Sequence, residues 1–322
     1  MSKVSSQYGK GVEICVSWQK ASNGEIPHRT VKAGGKCFVG RAQQNGQYIP
    51  GKLYEGHKGV YVSYGGKEIC VNNYEALVET NVLHNDGFQW KYVDGNNVPS
   101  GAIVGGTDNG QPLYIARSEV NGEPVVGKYF PPHGCAYFPF GGEEHRKTGV
   151  ENVTGSSVDF KMSKVSSQYG AGVELSLSWV KANNGSIPPK AVRAGGQTFV
   201  ARAKHDGQYI PGKFVEGYNE VFVSFGGVEH AKNYYEILVE SSMLGGHKGY
   251  EWKWTNGENV PKGALVGGLN DGAPLYVARS FIEDQMVVGK YYPQHGCAYM
   301  PYGGEEHRVE NAEVLCFTTK HV

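Results

Sequence analysis

The stretch "GGTDNGQPLYIAR", residues 105–117, recurs almost unchanged as "GGLNDGAPLYVAR", residues 267–279. Each copy opens on a glycine pair, continues through a polar loop with carboxylate and amide side chains, and ends in an aromatic and β-branched run that closes on arginine. A short run of this composition, bounded by glycine, asparagine and proline, is typical of a β-strand that follows a tight turn. The sequence therefore predicts a β protein with a duplicated unit.

The duplication extends over the whole chain. "MSKVSSQYG" begins at Met1 and again at Met162, and Trp18 matches Trp179 at the same offset. A one-residue insertion near Gly246 then shifts the later matches. Self-similarity at a fixed period indicates repeated structural units. We expect two halves, residues 1–161 and 162–322, joined by a polar stretch, with modules near residues 12–87, 88–160, 173–249 and 250–320.

The local pattern of each module is that of short strands. Runs such as "KCFVGRA" and "VYVSYGG" alternate with Asn-Gly pairs, which are a strong hairpin signal, and no long segment has the helical period. The 47 glycines and 21 tyrosines fit a β protein with many tight turns. The sequence predicts an all-β fold of four antiparallel β modules arranged as two tandem pseudo-twofold pairs, each module a small sheet of its own.

The composition indicates which classes of partner and which cellular compartment to expect. Lys and Arg total 31 and Asp and Glu total 31, so we expect neither nucleic acid nor an anionic membrane as a partner. The sequence has no apolar run long enough for a membrane span and no apolar stretch of signal-peptide length at its start. Its six cysteines form no CxxC pair. We expect a reduced, cytoplasmic chain, with unconventional secretion as the alternative.

The recurring motifs "LYIAR", "VVGK" and "HGCAYFPFGGEEH", together with the Trp, Val-Pro and Gly-Gly positions, resemble the DM-nine repeat proteins over nearly the whole chain. That family includes mannose-binding lectins of bivalve molluscs, which have about half this length and two modules. The resemblance implies that this chain is similar to two such lectins fused head to tail. It also implies a preference for mannose or mannose-containing glycans, and a role in microbial recognition or agglutination as part of innate immunity.

The resemblance also implies where the sugar binds. In the family's lectins an aspartate before the Leu-aromatic-Ile-Ala-Arg strand and the lysine of the Gly-Lys turn hold the sugar, and these match Asp108 and Lys128. The second half departs from the pattern, with Asn270 in the aspartate position, Asp271 beside it and Lys290 as the lysine. The uncharged Asn270 predicts a weaker second site unless Asp271 takes over. Modules one and three lack the loop and are expected to be scaffold.

The chemistry of these residue types suits a sugar. A carboxylate accepts hydrogen bonds from two neighbouring hydroxyls, while an ammonium donates to the oxygens between them. The alternatives are that the loop residues only stabilise a turn and that the lysines are solvated turn residues. At the rim of the site we expect Tyr129, His133, Glu144, Tyr291, His295 and Glu306. Glu144 and Glu306 are hypothesised to form salt bridges with the site lysines.

Other residue types favour binding over catalysis. The His and Cys of "PPHGCAY" could form a nucleophilic pair, but the sequence offers no third orienting group and no nucleotide-binding glycine loop. No zinc-type or calcium-type spacing occurs. We therefore expect no enzyme, no cofactor, no metal and calcium-independent binding. A non-catalytic protein-interaction or toxin-associated module without sugar binding is the alternative function, and a homodimer is a further partner to consider.

One arginine occupies the same position in all four modules, including the two without a loop. This distribution favours a structural role, and we expect each arginine to pair with a buried carboxylate at the interface between modules. The four residues are Arg41, Arg117, Arg202 and Arg279.

Overall fold

The computed structural model describes residues 5–6, 9–82, 87–155, 163–244 and 248–318 of the chain. Within these ranges the chain forms β-strands and no α-helix, with two short 3-10 turns at Pro131–His133 and Pro293–His295. The predicted all-β class is thereby confirmed. The predicted junction at residues 161 and 162 lies outside the described residues.

The strands of the first half divide between its two modules. The strands before and within module one are β1 (Ser5–Ser6), β2 (Gly9–Lys10), β3 (Val12–Glu13), β4 (Val16–Ser22), β5 (Lys32–Gly34), β6 (Cys37–Gln44), β7 (Gln47–Tyr54), β8 (Val60–Tyr64), β9 (Lys67–Val71) and β10 (Asn73–Glu79). Those of module two are β11 (Phe88–Val93), β12 (Val104–Asp108), β13 (Gln111–Val120), β14 (Glu123–Phe130), β15 (Cys135–Phe140), β16 (Glu143–Lys147) and β17 (Val150–Gly155).

The second half repeats this order of elements. The strands before and within module three are β18 (Ser163–Ser167), β19 (Gly170–Glu174), β20 (Leu177–Asn183), β21 (Arg193–Gly195), β22 (Thr198–His205), β23 (Gln208–Val215), β24 (Val221–Phe225), β25 (Val228–Lys232) and β26 (Tyr234–Glu240). Those of module four are β27 (Tyr250–Asn256), β28 (Leu265–Asn270), β29 (Ala273–Ile282), β30 (Gln285–Tyr292), β31 (Cys297–Tyr302), β32 (Glu305–Val309) and β33 (Asn311–Phe317).

The two modules of each half share one antiparallel sheet. In the first half β9 of module one pairs with β16 of module two through the single register pair Glu143 and Lys67. In the second half Val228 pairs with Glu305 in the same way. The four modules and their pairing are confirmed, but hydrogen bonds at these two junctions make one continuous sheet of each half. The expectation of four separate small sheets is corrected accordingly.

The repeated arginines tie the modules together. Arg41 pairs with Glu75 of its own module at 2.7 Å, and its guanidinium lies 4.0 Å from the centre of the Trp18 ring. It also donates to the carbonyl oxygen of Gly105 in module two, while Arg117 donates to that of Ala33 in module one. The expected carboxylate partners therefore exist, but they belong to the same module. The arginines cross the module interface through backbone carbonyls. The other three ion pairs are Arg117–Glu151, Arg202–Glu236 and Arg279–Glu313.

The two halves exchange their first segments. Strand β3 of the first half runs parallel to β28 of the second, with Val12 opposite Leu265, and Ile14 packs in the same core cluster as Trp179. Reciprocally, the Val173 N–H donates to the Ala102 carbonyl oxygen at 2.8 Å, and Leu175 packs in the core of the first half. Each half therefore completes its hydrophobic core with a segment of the other.

A glycine allows each exchanged segment to pass over a buried tyrosine. A β-carbon on Gly172 would lie 2.3 Å from the Tyr114 ring, and one on Gly11 would lie 2.5 Å from the Tyr276 ring. Contacts this short leave no room for a side chain, so only glycine permits the close approach of strand and ring. The repeated glycine in "YGKGVE" and "YGAGVE" is thus explained by the exchange.

Candidate functional site

The polar loops form extended hairpins in modules two and four. In module two the hairpin of β12 and β13 continues past Gly106, with Asp108 opposite Gln111 at its end. Asn109 and Gly110 form the turn with φ of 48° and 77°, the left-handed conformation that two-residue hairpin loops require. In module one the hairpin already closes where Gly34 faces Cys37. The prediction that modules one and three lack the loop is confirmed.

Each extended hairpin packs across the other module of its half, which we call its sister module. A β-carbon on Gly106 would lie 1.8 Å from the Tyr48 carbonyl oxygen, so the second glycine of the Gly-Gly pair is required for the two backbones to approach. At the tip, the Asn109 N–H donates to the Gln47 side chain at 2.9 Å, and the Asp271 N–H donates to the Gln208 side chain at 3.0 Å. The loop is thus anchored at both its base and its tip.

The loop carboxylates differ between the halves. Asp108 is half-buried and accepts a hydrogen bond from the Asn109 side chain at 3.2 Å. In the second half Asn270 occupies that position, while Asp271 is exposed and sits in the left-handed turn position of Asn109, with φ of 47°. The carboxylate has therefore moved by one residue along the loop.

A cleft lies beside the second loop. It has a volume of about 350 Å³ and is lined by residues 271–274 of the hairpin and by residues 292–294 of the 3-10 turn. Asp271 is the acidic residue of this lining. Proline, alanine and tyrosine surfaces beside a single carboxylate make a cleft of mixed character, with apolar walls and one strong hydrogen-bond acceptor.

The site lysines are buried within strands. Lys128 and Lys290 lie inside β14 and β30, so the expected Gly-Lys turn is corrected to mid-strand positions. Lys128 Nζ donates to the Ser63 carbonyl oxygen at 2.8 Å and lies 3.3 Å from a Glu144 carboxylate oxygen. Lys290 lies 2.8 Å from Glu306. The hypothesised lysine–glutamate salt bridges are therefore confirmed.

Burial changes the electrostatics of Lys290. Desolvation lowers the pKa of Lys290 below its ordinary 10.5, and the hydrogen bond and charge of Glu306 offset part of that effect. Aromatic rings complete the surroundings of Lys128, with Tyr137 and Tyr64 centred 5.4 and 5.8 Å from the ammonium nitrogen. A solvated turn lysine has none of these features, so that alternative is wrong for both residues.

Modules one and three carry the same lysine arrangement. Lys52 lies 2.9 Å from Glu68, and Lys213 lies 3.1 Å from Glu229. Glu68 also accepts a hydrogen bond at 2.7 Å from the N–H of Gly142, in the glycine turn of the sister module. These two glutamates were not among the predicted site residues, although the Gly-Gly-x-Glu motif in every module marks them. The lysine–glutamate pairs hold the module junction together on both sides.

Asp108 on β12 and Lys128 on β14 pair with different positions of strand β13. Asp108 faces Gln111, whereas Lys128 faces Ile115. Four residues of strand separate these two positions, which is about 13 Å at 3.3 Å per residue. A ligand that touches both side chains must therefore bridge the space between the hairpin tip and the middle of the strand.

The two histidines and the two tyrosines that were expected at the rim differ in their exposure to solvent. His133 and His295 are exposed, and their Nδ1 atoms are hydrogen-bonded to the hydroxyls of Tyr137 and Tyr299 at 2.7 and 2.8 Å. Tyr129 and Tyr291 are instead buried in the core.

The burial of these two tyrosines corrects the expectation of a rim position. The Tyr129 hydroxyl donates to the Gly95 carbonyl oxygen at 2.7 Å, and the Tyr291 hydroxyl donates to that of Gly257. Because neighbours along a strand point to opposite faces, each tyrosine packs away from the side that holds its lysine.

The cysteine and histidine of "PPHGCAY" do not form a pair. Cys135 is fully buried, and Arg146 Nε donates to its sulfur at 3.1 Å, while His133 is hydrogen-bonded to Tyr137. Across the described ranges, no three or more His, Cys, Asp or Glu side chains converge on a point where they could hold a metal ion. None of the described helical segments has the length and apolar character to cross a bilayer.

A known protein family matches both halves of the chain. The sequence matches the DM9 repeat over residues 33–147 and 194–309, one match in each half. The chain belongs to the DM9 repeat family. This is a family of binding modules, and it implies a lectin-like, carbohydrate-binding role at the family level. The resemblance inferred from the motifs is thus confirmed.

Two other comparisons add little to the family match. No curated protein matches the sequence. A solved structure, the nematode sperm cell motility protein MFP2B, aligns over 95% of this chain and 98% of its own, with 15% identity and a TM-score of 0.39.

Proposed function

We propose that this DM9 repeat protein is a calcium-independent lectin for mannose or mannose-containing glycans. Asp108 and Lys128 form the first site, and Asn270, Asp271 and Lys290 form the second. The observation that carries the proposal is the pair of extended hairpins, which modules two and four have and modules one and three lack. Only these modules combine loop carboxylates or amides with the buried strand lysine that all four modules have.

The chemistry of the loop supports a sugar ligand. Asp108 and Asp271 are free of ion pairs among the described residues, so their oxygens can accept from vicinal hydroxyls. Such charge-assisted hydrogen bonds contribute about 1.5–3 kcal/mol each. Lys128 lies 3.3 Å from Glu144 and Lys290 lies 2.8 Å from Glu306. An ammonium has three N–H donors, which can serve carbonyl, carboxylate and ligand oxygens.

Two sites on one chain support glycan bridging. A chain that engages two glycans on one surface gains avidity of about 10²–10⁴ over a single site when the geometry permits both contacts. Agglutination of glycan-bearing microbes follows from such bridging when the two glycans lie on different cells. The proposed activity is binding alone, without a catalytic step.

Calorimetric titration of the whole chain with mannose, with and without a chelator, tests the proposal. We expect binding that the chelator leaves unchanged, with a stoichiometry above one if both halves bind. Loss of binding in the chelator would contradict calcium independence. No heat with mannose or any simple hexose would favour the protein-interaction module instead.

A further inference from the structure

A groove runs between the two halves, away from the polar hairpins. It has a volume of about 400 Å³. Strands β4, β6, β7 and β10 of module one form one side, and residues 180–181, 186–190 and 239–243 of module three form the other. We call this feature the inter-half groove.

One wall of the inter-half groove is aromatic. The Arg41 guanidinium lies between the rings of Trp18 and Tyr48, at 4.0 and 4.2 Å from their centres. Glu75 neutralises this arginine at 2.7 Å. Trp18 and Arg41 are almost fully buried, so the half-buried Tyr48 supplies the accessible flat surface of a wall without net charge. Such a surface suits the face of a planar apolar group.

The opposite wall is apolar. It is built from the half-buried side chains of Val180, Ile187 and Pro188 and the buried Val239. Aliphatic side chains facing aromatic ones across a groove of this size are typical of pockets that bury a small ring system. A fully hydrated polar ligand would gain little from these two walls.

A buried polar atom in the groove lacks a partner. The Gln19 side-chain oxygen is buried without a hydrogen bond from any described residue, as is the indole nitrogen of Trp18. The indole nitrogens of Trp90 and Trp179 are also buried without a hydrogen-bond partner, so an unpaired indole is not specific to this groove. The unpaired Gln19 oxygen is specific to it. The counterpart of Gln19 in the second half is Val180. A buried amide without a partner is costly, and a ligand donor would remove that cost.

The mouth of the groove is positively charged. Lys20, Lys181 and Lys190 are exposed, and none forms an ion pair with a described residue. Of the two carboxylates in the lining, Glu75 is neutralised by Arg41. Three ammonium groups against the one remaining carboxylate, Glu240, attract an anion.

An ion pair occupies the position in the first half that corresponds to Lys190 and Glu240. In the first half Arg29 lies 3.3 Å from Glu79 and also donates to the Asn81 carbonyl oxygen. The corresponding residues of the second half are Lys190 and Glu240, which form no ion pair. Lysine has fewer hydrogen-bond donors than arginine, and the Lys190 ammonium is exposed at the mouth.

We propose that the inter-half groove binds a small organic anion with a planar apolar body. The ring system lies between the Trp18–Tyr48 wall and the Ile187–Pro188 wall. A carboxylate, sulfonate or phosphate group of the ligand meets Lys20 and Lys190 at the mouth. A donor on the ring system pairs with the Gln19 oxygen. This site is separate from the proposed sugar sites in residues and in ligand class.

Fluorescence titration of the whole chain with two matched dyes tests this site. The anionic dye is 1-anilinonaphthalene-8-sulfonate, and its uncharged analogue is N-phenyl-1-naphthylamine. We expect one equivalent of the sulfonate to bind, with quenching of tryptophan emission, and mannose to leave that binding unchanged. The sulfonate should bind at least about tenfold more tightly than the neutral dye, as one charge-assisted hydrogen bond gives.

Three variants locate the binding. Lys20→Gln with Lys190→Gln removes two charges at the mouth, and Lys58→Gln with Lys262→Gln removes two exposed charges elsewhere as the matched control. Ile187→Arg fills the groove. We expect the first pair to weaken sulfonate binding about tenfold without changing neutral-dye binding, the control to have no effect, and Ile187→Arg to abolish both. Equal sulfonate binding in the mouth variant and its control, or binding unaffected by Ile187→Arg, would overturn the proposal.

Discussion

Ser17 and Ser178 each accept a hydrogen bond from a backbone N–H of the other half. The Ser17 hydroxyl oxygen accepts from the backbone N–H of Trp179 at 3.0 Å, and the Ser178 hydroxyl oxygen accepts from that of Trp18 at 3.4 Å. Both serines are fully buried, where β4 and β20 face one another. The two halves thus satisfy each other's backbone donors at the centre of the molecule.

Removing one of these hydroxyls should destabilise the whole chain. In Ser17→Ala the buried Trp179 N–H loses its acceptor, and an unsatisfied buried donor costs about 1–3 kcal/mol. Urea unfolding of the variant measures this loss in the free energy of unfolding. Ser100→Ala, at an exposed serine, is the control and should be neutral. Equal stability of the two variants would mean that water or another group replaces the hydroxyl.

Replacing the buried arginine of module three by an apolar residue should strongly lower the free energy of unfolding. Arg202 pairs with Glu236 at 2.7 Å and donates to the carbonyl oxygens of Gly267 and Thr80, which lie in another module and in the other half. Arg202→Met leaves Glu236 buried without its partner, and breaking such a pair costs about 3–5 kcal/mol. The exposed pair of Arg193 and Glu216 provides the control, because Arg193→Met should change unfolding free energy by less than about 1 kcal/mol.

The exchanged segments should stabilise the half that receives them. Ile14 and Leu175 are buried in the cores of the opposite halves, and truncating a buried Leu or Ile to Ala costs about 2–5 kcal/mol. We expect Ile14→Ala to lower the melting temperature of the whole chain, because the two halves share their cores. Calorimetry should show a single transition in both the wild type and the variant. Two separate transitions would show that the halves unfold independently.

A histidine pair predicts acid sensitivity of the second half. His205 packs against His230 with ring centres 4.1 Å apart, and burial, then the charge of His230, lowers the pKa of His205 below 6.5. The unfolded chain therefore binds a proton near pH 6.5 that the folded chain does not. Stability should fall as pH drops from about 6.5 through the folded pKa and should level off below it.

Gln44 holds the position of His205 in the first half and suggests the matching variant. His205→Gln should flatten the acid slope of the free energy of unfolding, measured by urea titration from pH 7 to pH 5. The exposed His28→Gln is the control and should leave the slope unchanged. An unaltered slope in His205→Gln would assign the acid sensitivity to other groups.

Reciprocal exchange of the loop residues tests the two sugar sites against each other. Asp108→Asn keeps the hairpin geometry but removes the charge, and it should weaken mannose binding at the first site about tenfold, as loss of a charge-assisted hydrogen bond predicts. Asn270→Asp should strengthen the second site by a similar factor. Asp206→Asn, in an exposed hairpin turn of module three, is the matched control. Mannose binding unchanged by all three substitutions would remove these loops from the site.

Local sequence predicted the strands but not how the halves combine. Alternation and Asn-Gly turns identify hairpins such as β6 and β7, because these interactions are between near neighbours. Val12 and Val173 lie in almost identical segments, and either would fit the core of either half. Contacts between the halves, such as Val12 with Leu265 and Val173 with Ala102, fix which core each residue joins, and no local pattern encodes that choice.

The candidate site was predicted in part. The hairpin carboxylates and the lysine–glutamate pairs follow from motif and charge. Lys128 and Tyr129 were expected beside a turn, whereas both are buried because strand β14 has both of its faces covered. A period-two pattern assumes one solvent-facing side, so it does not indicate burial on both sides. The inter-half groove depends on contacts between residues more than 100 positions apart, which a sequence pattern does not reveal.

The exchanged first segments also bear on how such a chain can arise. Two separate half-length chains that exchanged segments in this way would complete their cores only on association, so their stability would depend on protein concentration. Joining them end to end replaces that encounter by an intramolecular one with a high effective concentration. Because each half contains a segment of the other in its core, a single cut of the backbone between the halves would leave the two fragments bound to each other.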